Sequence, residues 1–180
     1  MATITGTSGN NILVGTFGDD VILWLAGFDQ LTGGDGSDIL DGGSDSDNLD
    51  GGFGNDTLIG GDGHNYLFVQ YGVNSFDGGA GNARIYSRSY DAGVVLAGGE
   101  GNNYFERYGA NATLTVGSGN NTLQIFGAIS KVDAGAVKNI VSGSSFSTIT
   151  GTLGNDILVG TFGDDVILGL AGNDSLNGGS

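Results

Sequence analysis

Residues Gly33–Asp41 read GGDGSDILD, Gly51–Ile59 read GGFGNDTLI and Gly60–Phe68 read GGDGHNYLF. Each stretch has nine residues, with glycine at positions one, two and four, Asp or Asn at position six, and Leu at position eight. The first six residues make a tight turn, because glycine reaches backbone conformations closed to other residues. The last three make a short strand whose middle side chain points inward. One such strand cannot bury that face alone, but stacked copies build a thin continuous core. Two units complete one coil. The chain is therefore predicted to be all-β, a parallel β-roll (a β-solenoid of tandem nonapeptides).

Working outward, units begin at positions 6, 15, 24, 33, 42, 51, 60, 69 and 78. The unit from Ser87 takes eleven residues to keep phase, and nine-residue units resume at Gly98, Arg107, Val116 and Ile125. An eight-residue unit from Ala134 precedes those at Ser142, Gly151, Gly160 and Gly169. In this phasing the eighth position runs from Leu13 and Ile22 through Leu40, Leu67, Val94 and Leu123 to Ile167 and Leu176, and all nineteen are apolar. A row that regular carries the same fold through the degenerate middle. The eleven- and eight-residue units are expected as a bulge and a tightened turn. An α-helical reading fails, since each glycine costs a helix about 1 kcal/mol.

Composition agrees. Glycine supplies 38 of 180 residues, while proline and cysteine are absent, which excludes collagen and disulfide scaffolds. Twenty acids against five basic residues give a formal net charge of −15, which argues against a nucleic-acid partner. Eighteen of the acids are Asp, alongside sixteen Asn, and short oxygen-bearing side chains in a glycine-rich chain suit hard cations. No secretory leader is legible in MATITGTSGNN, and no apolar run approaches the roughly 20 residues of a spanning helix.

The repeated G-G-x-G-x-D-x-U-x pattern resembles the RTX family, the hemolysin-type calcium-binding repeats. The match is strongest over Gly33–Phe68 and Gly151–Asn177, weaker over Gly6–Thr32, and over Val69–Thr150 rests on phase and the inward residue. The resemblance implies calcium between turns of neighbouring coils, held by position-six carboxylates and turn carbonyls. Carried onto this chain, the carboxylates are Asp20, Asp29, Asp38, Asp47, Asp56, Asp156, Asp165 and Asp174. The turns offering carbonyls are those of Gly34, Gly36, Gly52, Gly54, Gly61, Gly163 and Gly172. The expected organisation is one solenoid over 1–180, with calcium-binding repeats at 6–68 and 151–180 and mostly metal-free repeats at 69–150. Position six there holds residues such as Asn74, Ala83, Asn103, Ala112 and Asn121, weak or absent ligands that suit asparagine ladders. Stacked carboxylates repel without a cation, so folding is expected to be coupled to calcium.

Catalytic chemistry finds no footing. His64 is the one histidine and has no ligand or triad partners in sequence, and neither a G-x-S-x-G elbow nor a phosphate loop is present. An enzyme is not expected. Tyr66, Phe68, Tyr86 and Tyr104 fall on outward strand positions and form a candidate docking face for glycan or protein. Arg84, Arg88 and Arg107 lie nearby, where they are expected to balance Glu100 and Glu106.

The two ends repeat each other. Ile4–Gly34 and Ile149–Gly179 align without a gap and are identical at 25 of 31 positions. Both place apolar residues outward: Ile12, Val14, Val21 and Leu23, then Ile157, Val159, Val166 and Leu168. Exposed faces of this kind call for a cover, and a head-to-tail contact between copies grows into a filament when it does not close. The expected function is a secreted calcium-binding structural module, extracellular or at the cell surface, that self-associates. As the resemblance implies, its route is type I secretion. The alternative is an accessory or adhesin module of a larger protein that binds polysaccharide, and a segment of a longer repeat protein fits equally well.

Overall fold

Strands of three to six residues alternate with glycine turns along the computed structural model, which describes residues 1–109, 111–126, 148–160 and 164–179 with their side chains, and 129–133 and 139–142 by backbone. One parallel sheet holds β1 (Thr3–Thr5), β3 (Val21–Leu23), β5 (Ile39–Asp41), β7 (Thr57–Ile59), β9 (Ser75–Asp77), β11 (Val95–Ala97), β13 (Ala112–Thr115), β15 (Ile129–Asp133), β17 (Thr148–Thr150) and β19 (Val166–Leu168). The other holds β2 (Ile12–Val14), β4 (Gln30–Asp35), β6 (Asn48–Phe53), β8 (Tyr66–Val69), β10 (Arg84–Ser87), β12 (Tyr104–Tyr108), β14 (Asn121–Phe126), β16 (Asn139–Ser142), β18 (Ile157–Val159) and β20 (Ser175–Asn177). Consecutive strands thus alternate between sheets, which is the β-roll. No helix among the described residues is long and apolar enough to cross a membrane.

The register shows why position eight had to be apolar. Ile22 pairs with Leu40, Leu40 with Leu58 and Leu58 with Phe76, while Leu31, Leu49, Leu67 and Ile85 do the same in the other sheet. All of these side chains are buried, and the two columns face each other to form the core.

Two positions of the phasing are corrected. In the long unit the inward residue of β11 is Leu96, paired with Phe76 and Leu114. Val94 lies two residues earlier, buried at the turn position that Asn74 holds one coil before, since the N–H of Val95 donates to the Asn74 carbonyl. The two extra residues therefore precede the strand. Ser142 pairs with Gln124 and Val159, so it completes β16 rather than opening a unit. The missing residue then falls between Ser142 and Thr148, outside the described residues.

Gly51 and Gly34 show why the turns need glycine. A Cβ on Gly51 would lie 2.5 Å from Oδ2 of Asp56 and 2.8 Å from Cγ1 of Val69. Gly34 has φ +113°, and a Cβ there would sit 2.5 Å from the Thr16 carbonyl of the preceding coil. The first keeps space beside the carboxylate; the second sets the turn.

Candidate metal centre

Along the aspartate turns the position-six side chain reaches back one coil. The N–H of Asp20 donates to Oδ1 of Asp38 at 2.8 Å, that of Asp29 to Asp47 at 2.9 Å, and that of Asp38 to Asp56 at 3.0 Å. The series goes on from Asp47 to Asn65 at 2.8 Å and from Asp56 to Asn74 at 2.6 Å. One oxygen of Asp29, Asp38, Asp47 and Asp56 is thereby used to hold adjacent coils together.

The second oxygen separates the turns into three kinds. In Asp29, Asp38, Asp47 and Asp56 the side chain is at most 2 % exposed, and Oδ2 is buried with no donor. A buried acceptor of this kind is costly, and a carboxylate accepts only, so a cation is the group that suits it. Burial pushes the Asp47 carboxyl up to about 6 and that of Asp56 to about 7, with Asp38 also raised, against the N–H donors that favour the charged form. These residues fit calcium: Asp38 and Asp56 lie on one edge and Asp29 and Asp47 on the other, with carbonyls of the glycine turns available. Among the described residues no group of three or more His, Cys, Asp or Glu side chains gathers at one point, so backbone oxygens would have to complete the shell.

In the second kind a threonine fills the role. Oδ2 of Asp20 accepts from the Thr16 N–H at 2.6 Å and from its hydroxyl at 2.8 Å. The Thr16 N–H is the foremost reason that the Asp20 carboxyl is held below the usual range. Oδ2 of Asp156 accepts from Thr152 in the same way, at 2.7 and 2.9 Å. Both were candidate ligands, yet their second oxygens already have donors. The signal lay in the sequence: position two of these units is Thr, where the ion-suited turns of Asp38, Asp47 and Asp56 have Gly34, Gly43 and Gly52.

In the third kind an amide does so. Nδ2 of Asn65 donates to the Asp62 carbonyl at 3.0 Å. That of Asn74 donates to Tyr71 at 2.7 Å and Gly72 at 3.0 Å. Asn103 reaches Glu100 and Gly101, and Asn121 reaches Ser118 and Gly119. The carbonyls of positions three and four thus receive an N–H where aspartate could offer none.

The remaining candidates are placed as follows. Oδ1 of Asp174 accepts from the Asp156 N–H at 3.0 Å, and its turn holds Leu170 at φ +69° where glycine would be expected. Asp165 is half-buried before β19, and Gly163 in its turn lies outside the described residues. Gly34, Gly36, Gly52, Gly54, Gly61 and Gly172 all have positive φ. The Gly61 carbonyl accepts from the Ala80 N–H and belongs to the Asn65 turn, which has its own amide.

The aromatic residues do come together. Tyr66 and Tyr86 have ring centroids 5.0 Å apart, Tyr86 and Tyr104 5.6 Å, and Arg88 lies 6.0 Å from the Phe68 ring. Arg107 does not join them. It alternates inward on β12, is fully buried, and donates to the Ser89 and Asp91 carbonyls, so it braces the long turn instead of balancing Glu100 or Glu106. Burial lowers its guanidinium to about 10. The outward apolar residues lie at opposite ends: Ile12 and Val14 are 73 % and 62 % exposed, and Val166 and Leu168 are 46 % and 49 % exposed.

The RTX calcium-binding nonapeptide repeat family matches in four copies, over residues 3–23, 25–49, 50–85 and 150–180, together more than half of the chain. No curated protein matches the chain.

Proposed function

The chain belongs to the family of RTX calcium-binding nonapeptide repeats, and from that premise we propose that it is a secreted structural module that folds on calcium and stacks end to end with copies of itself. The repeats indicate a calcium-binding β-roll, a structural fold that is generally non-enzymatic. Such repeats are typical of proteins exported by type I secretion, which supports an extracellular or cell-surface place. The carrying observation is the buried, donor-less Oδ2 of Asp29, Asp38, Asp47 and Asp56. When bound, calcium supplies the positive charge these oxygens lack. The chain's own part is to hold the carboxylates in coil-to-coil register and to shield them from water.

Stacking is supported by the ends. Ile4–Gly34 and Ile149–Gly179 are identical at 25 of 31 positions, so a coil of one block can stand where the matching coil of the other does. A second copy laid with its β1 on β19 and β2 on β20 would cover Ile167 and Leu176 with Ile4 and Leu13. It would also bring the Asn11 carboxamide to the Asp174 N–H, as each coil does inside the roll. The asymmetric contact then repeats without closing.

Circular dichroism and light scattering, followed together while calcium is added to chelator-treated protein, test both parts. A rising β signal with growing particles is expected. A folded 18 kDa monomer at every calcium concentration would end the stacking idea, and an unchanged spectrum would end the calcium reading.

A second reading has its own observation. The Tyr66–Tyr86–Tyr104 row, with Arg84 paired between Tyr66 and Tyr104, is an aromatic and polar surface of the kind that accepts a sugar ring. It makes the chain a polysaccharide-binding accessory or adhesin module. Soluble polysaccharides that shift tyrosine fluorescence of the calcium-loaded protein, but not of Tyr86→Ala, would support it; no shift with any would count against it.

A further inference from the structure

We infer that residues 65–126 form an ion-independent folding nucleus, on which the calcium-binding arm at residues 20–56 is built. The inference rests on the calcium reading above and concerns what the chain does before the ion arrives.

Three observations carry it. First, the donors that the arm lacks are already present in the nucleus. Asn65, Asn74, Asn103 and Asn121 each accept a backbone N–H from the preceding coil, and each amide nitrogen donates into its own turn carbonyls. Asparagine and aspartate have the same shape, so the amide N–H takes over the bonding that in the arm waits for a cation. At the one irregular turn the buried Arg107 guanidinium does this for the Ser89 and Asp91 carbonyls. Second, no position-six residue between 65 and 121 can ionise: they are Asn65, Asn74, Ala83, Val94, Asn103, Ala112 and Asn121. Third, the core is thicker there. The arm from Ile22 to Leu58 buries its single inward residue per unit and, at position one, Trp24 alone. The nucleus adds Val69, Val116 and Ile125 at the position that is glycine in the arm's Gly33, Gly42 and Gly51 units, together with Ala83, Val94 and Ala112.

The seam between the two is also built. Oδ1 of Asn65 and of Asn74 accepts the N–H of Asp47 and of Asp56, the last carboxylates of the arm on either edge. The folded nucleus therefore offers fixed acceptors and two open strand edges, β8 and β9, to β6 and β7.

Hydrogen exchange on the full chain, in chelator and then in calcium, tests this. Amides of β8 to β14 are expected to be protected in chelator about tenfold or more above those of β3 to β7, which gain protection only with calcium. Uniform fast exchange in chelator, with all strands protected together by calcium, would overturn the nucleus while leaving the calcium reading intact. Uniform protection unaffected by calcium would overturn both. The double variant Asn103→Asp/Asn121→Asp is expected to lose chelator protection in β12 and β14 and regain it in calcium, which separates a converted turn from a failed fold. The reverse pair, Asp38→Asn/Asp56→Asn, should extend chelator protection into β5 and β7. If neither pair moves protection, the amide is not the determinant and the inference falls.

Discussion

The N–H of Asp56 donates to Oδ1 of Asn74 at 2.6 Å, and at that contact the position-six series on one edge passes from carboxylate to carboxamide. Asp56 itself keeps a buried Oδ2 without a donor, whereas Asn74 closes two bonds onto its own turn. Asp56→Asn should therefore stabilise the calcium-free protein by about 1–3 kcal/mol, the cost of a buried unmatched acceptor. It should also reduce the number of ions bound. Chelator-state urea unfolding and calorimetric calcium titration read the two effects, and a destabilised, unchanged-stoichiometry variant would contradict the assignment.

Thr16 and Thr152 should behave as resident substitutes for the ion. Thr16→Val deletes the hydroxyl that lies 2.8 Å from Oδ2 of Asp20 while keeping the N–H bond. A lower melting temperature follows from removing a hydrogen bond to a charged group. Thr16→Gly restores glycine at position two and should add calcium capacity at that turn. An unaltered melting temperature in the first variant and an unaltered ion count in the second would show that threonine has no such role.

The calcium-free fold should strengthen in mild acid. The folded-state pKa of Asp47 is raised to about 6 and that of Asp56 to about 7, so the folded chain binds more protons than the unfolded one. That stabilisation is fully present below the unfolded carboxylate value of about 4 and is lost as pH rises through 6 to 7. A protonated Oδ2 can donate, as the Asn74 amide does. Thermal melts in chelator are expected to shift upward as pH falls from about 8 to about 5, while calcium affinity weakens over the same window because proton and ion compete. A downward shift would reverse the sign and exclude these carboxyls as the cause.

Gly51→Ala tests the close approach at position one. The new Cβ would lie 2.5 Å from Oδ2 of Asp56, which must move out of the place from which it would face the ion. Overpacking of this type costs about 1–3 kcal/mol, and calcium affinity should fall with it. Retained affinity at reduced stability would mean that the turn yields without moving the carboxylate.

Arg107→Met keeps the length and apolar stem of the side chain but leaves the Ser89 and Asp91 carbonyls without their charged donor. About 3 kcal/mol should be lost in the presence of calcium, with faster amide exchange over residues 87–93. A variant as stable as the parent would show that water replaces the guanidinium.

Much of this protein was legible in its sequence. Glycine spacing and the apolar eighth position decide the coil, because a strand that buries one side chain must be stacked to exist at all. The repeat puts Asp38, Asp47 and Asp56 at the same turn position, and the structure buries all three. Three things depended on tertiary contacts. Leu96 rather than Val94 faces inward, because where two extra residues are accommodated is set by strand pairing with Phe76 and Leu114. Arg107 turns into the core, because strand alternation and a distant turn's carbonyls outweigh its charge. Thr at position two was visible in the sequence, but that its N–H and hydroxyl close on Oδ2 of Asp20 and of Asp156 is decided by the folded turn. Sequence fixes which side chain stands at each turn; folding decides which of its atoms is left without a partner, and a buried atom without a partner is what an ion can recognise.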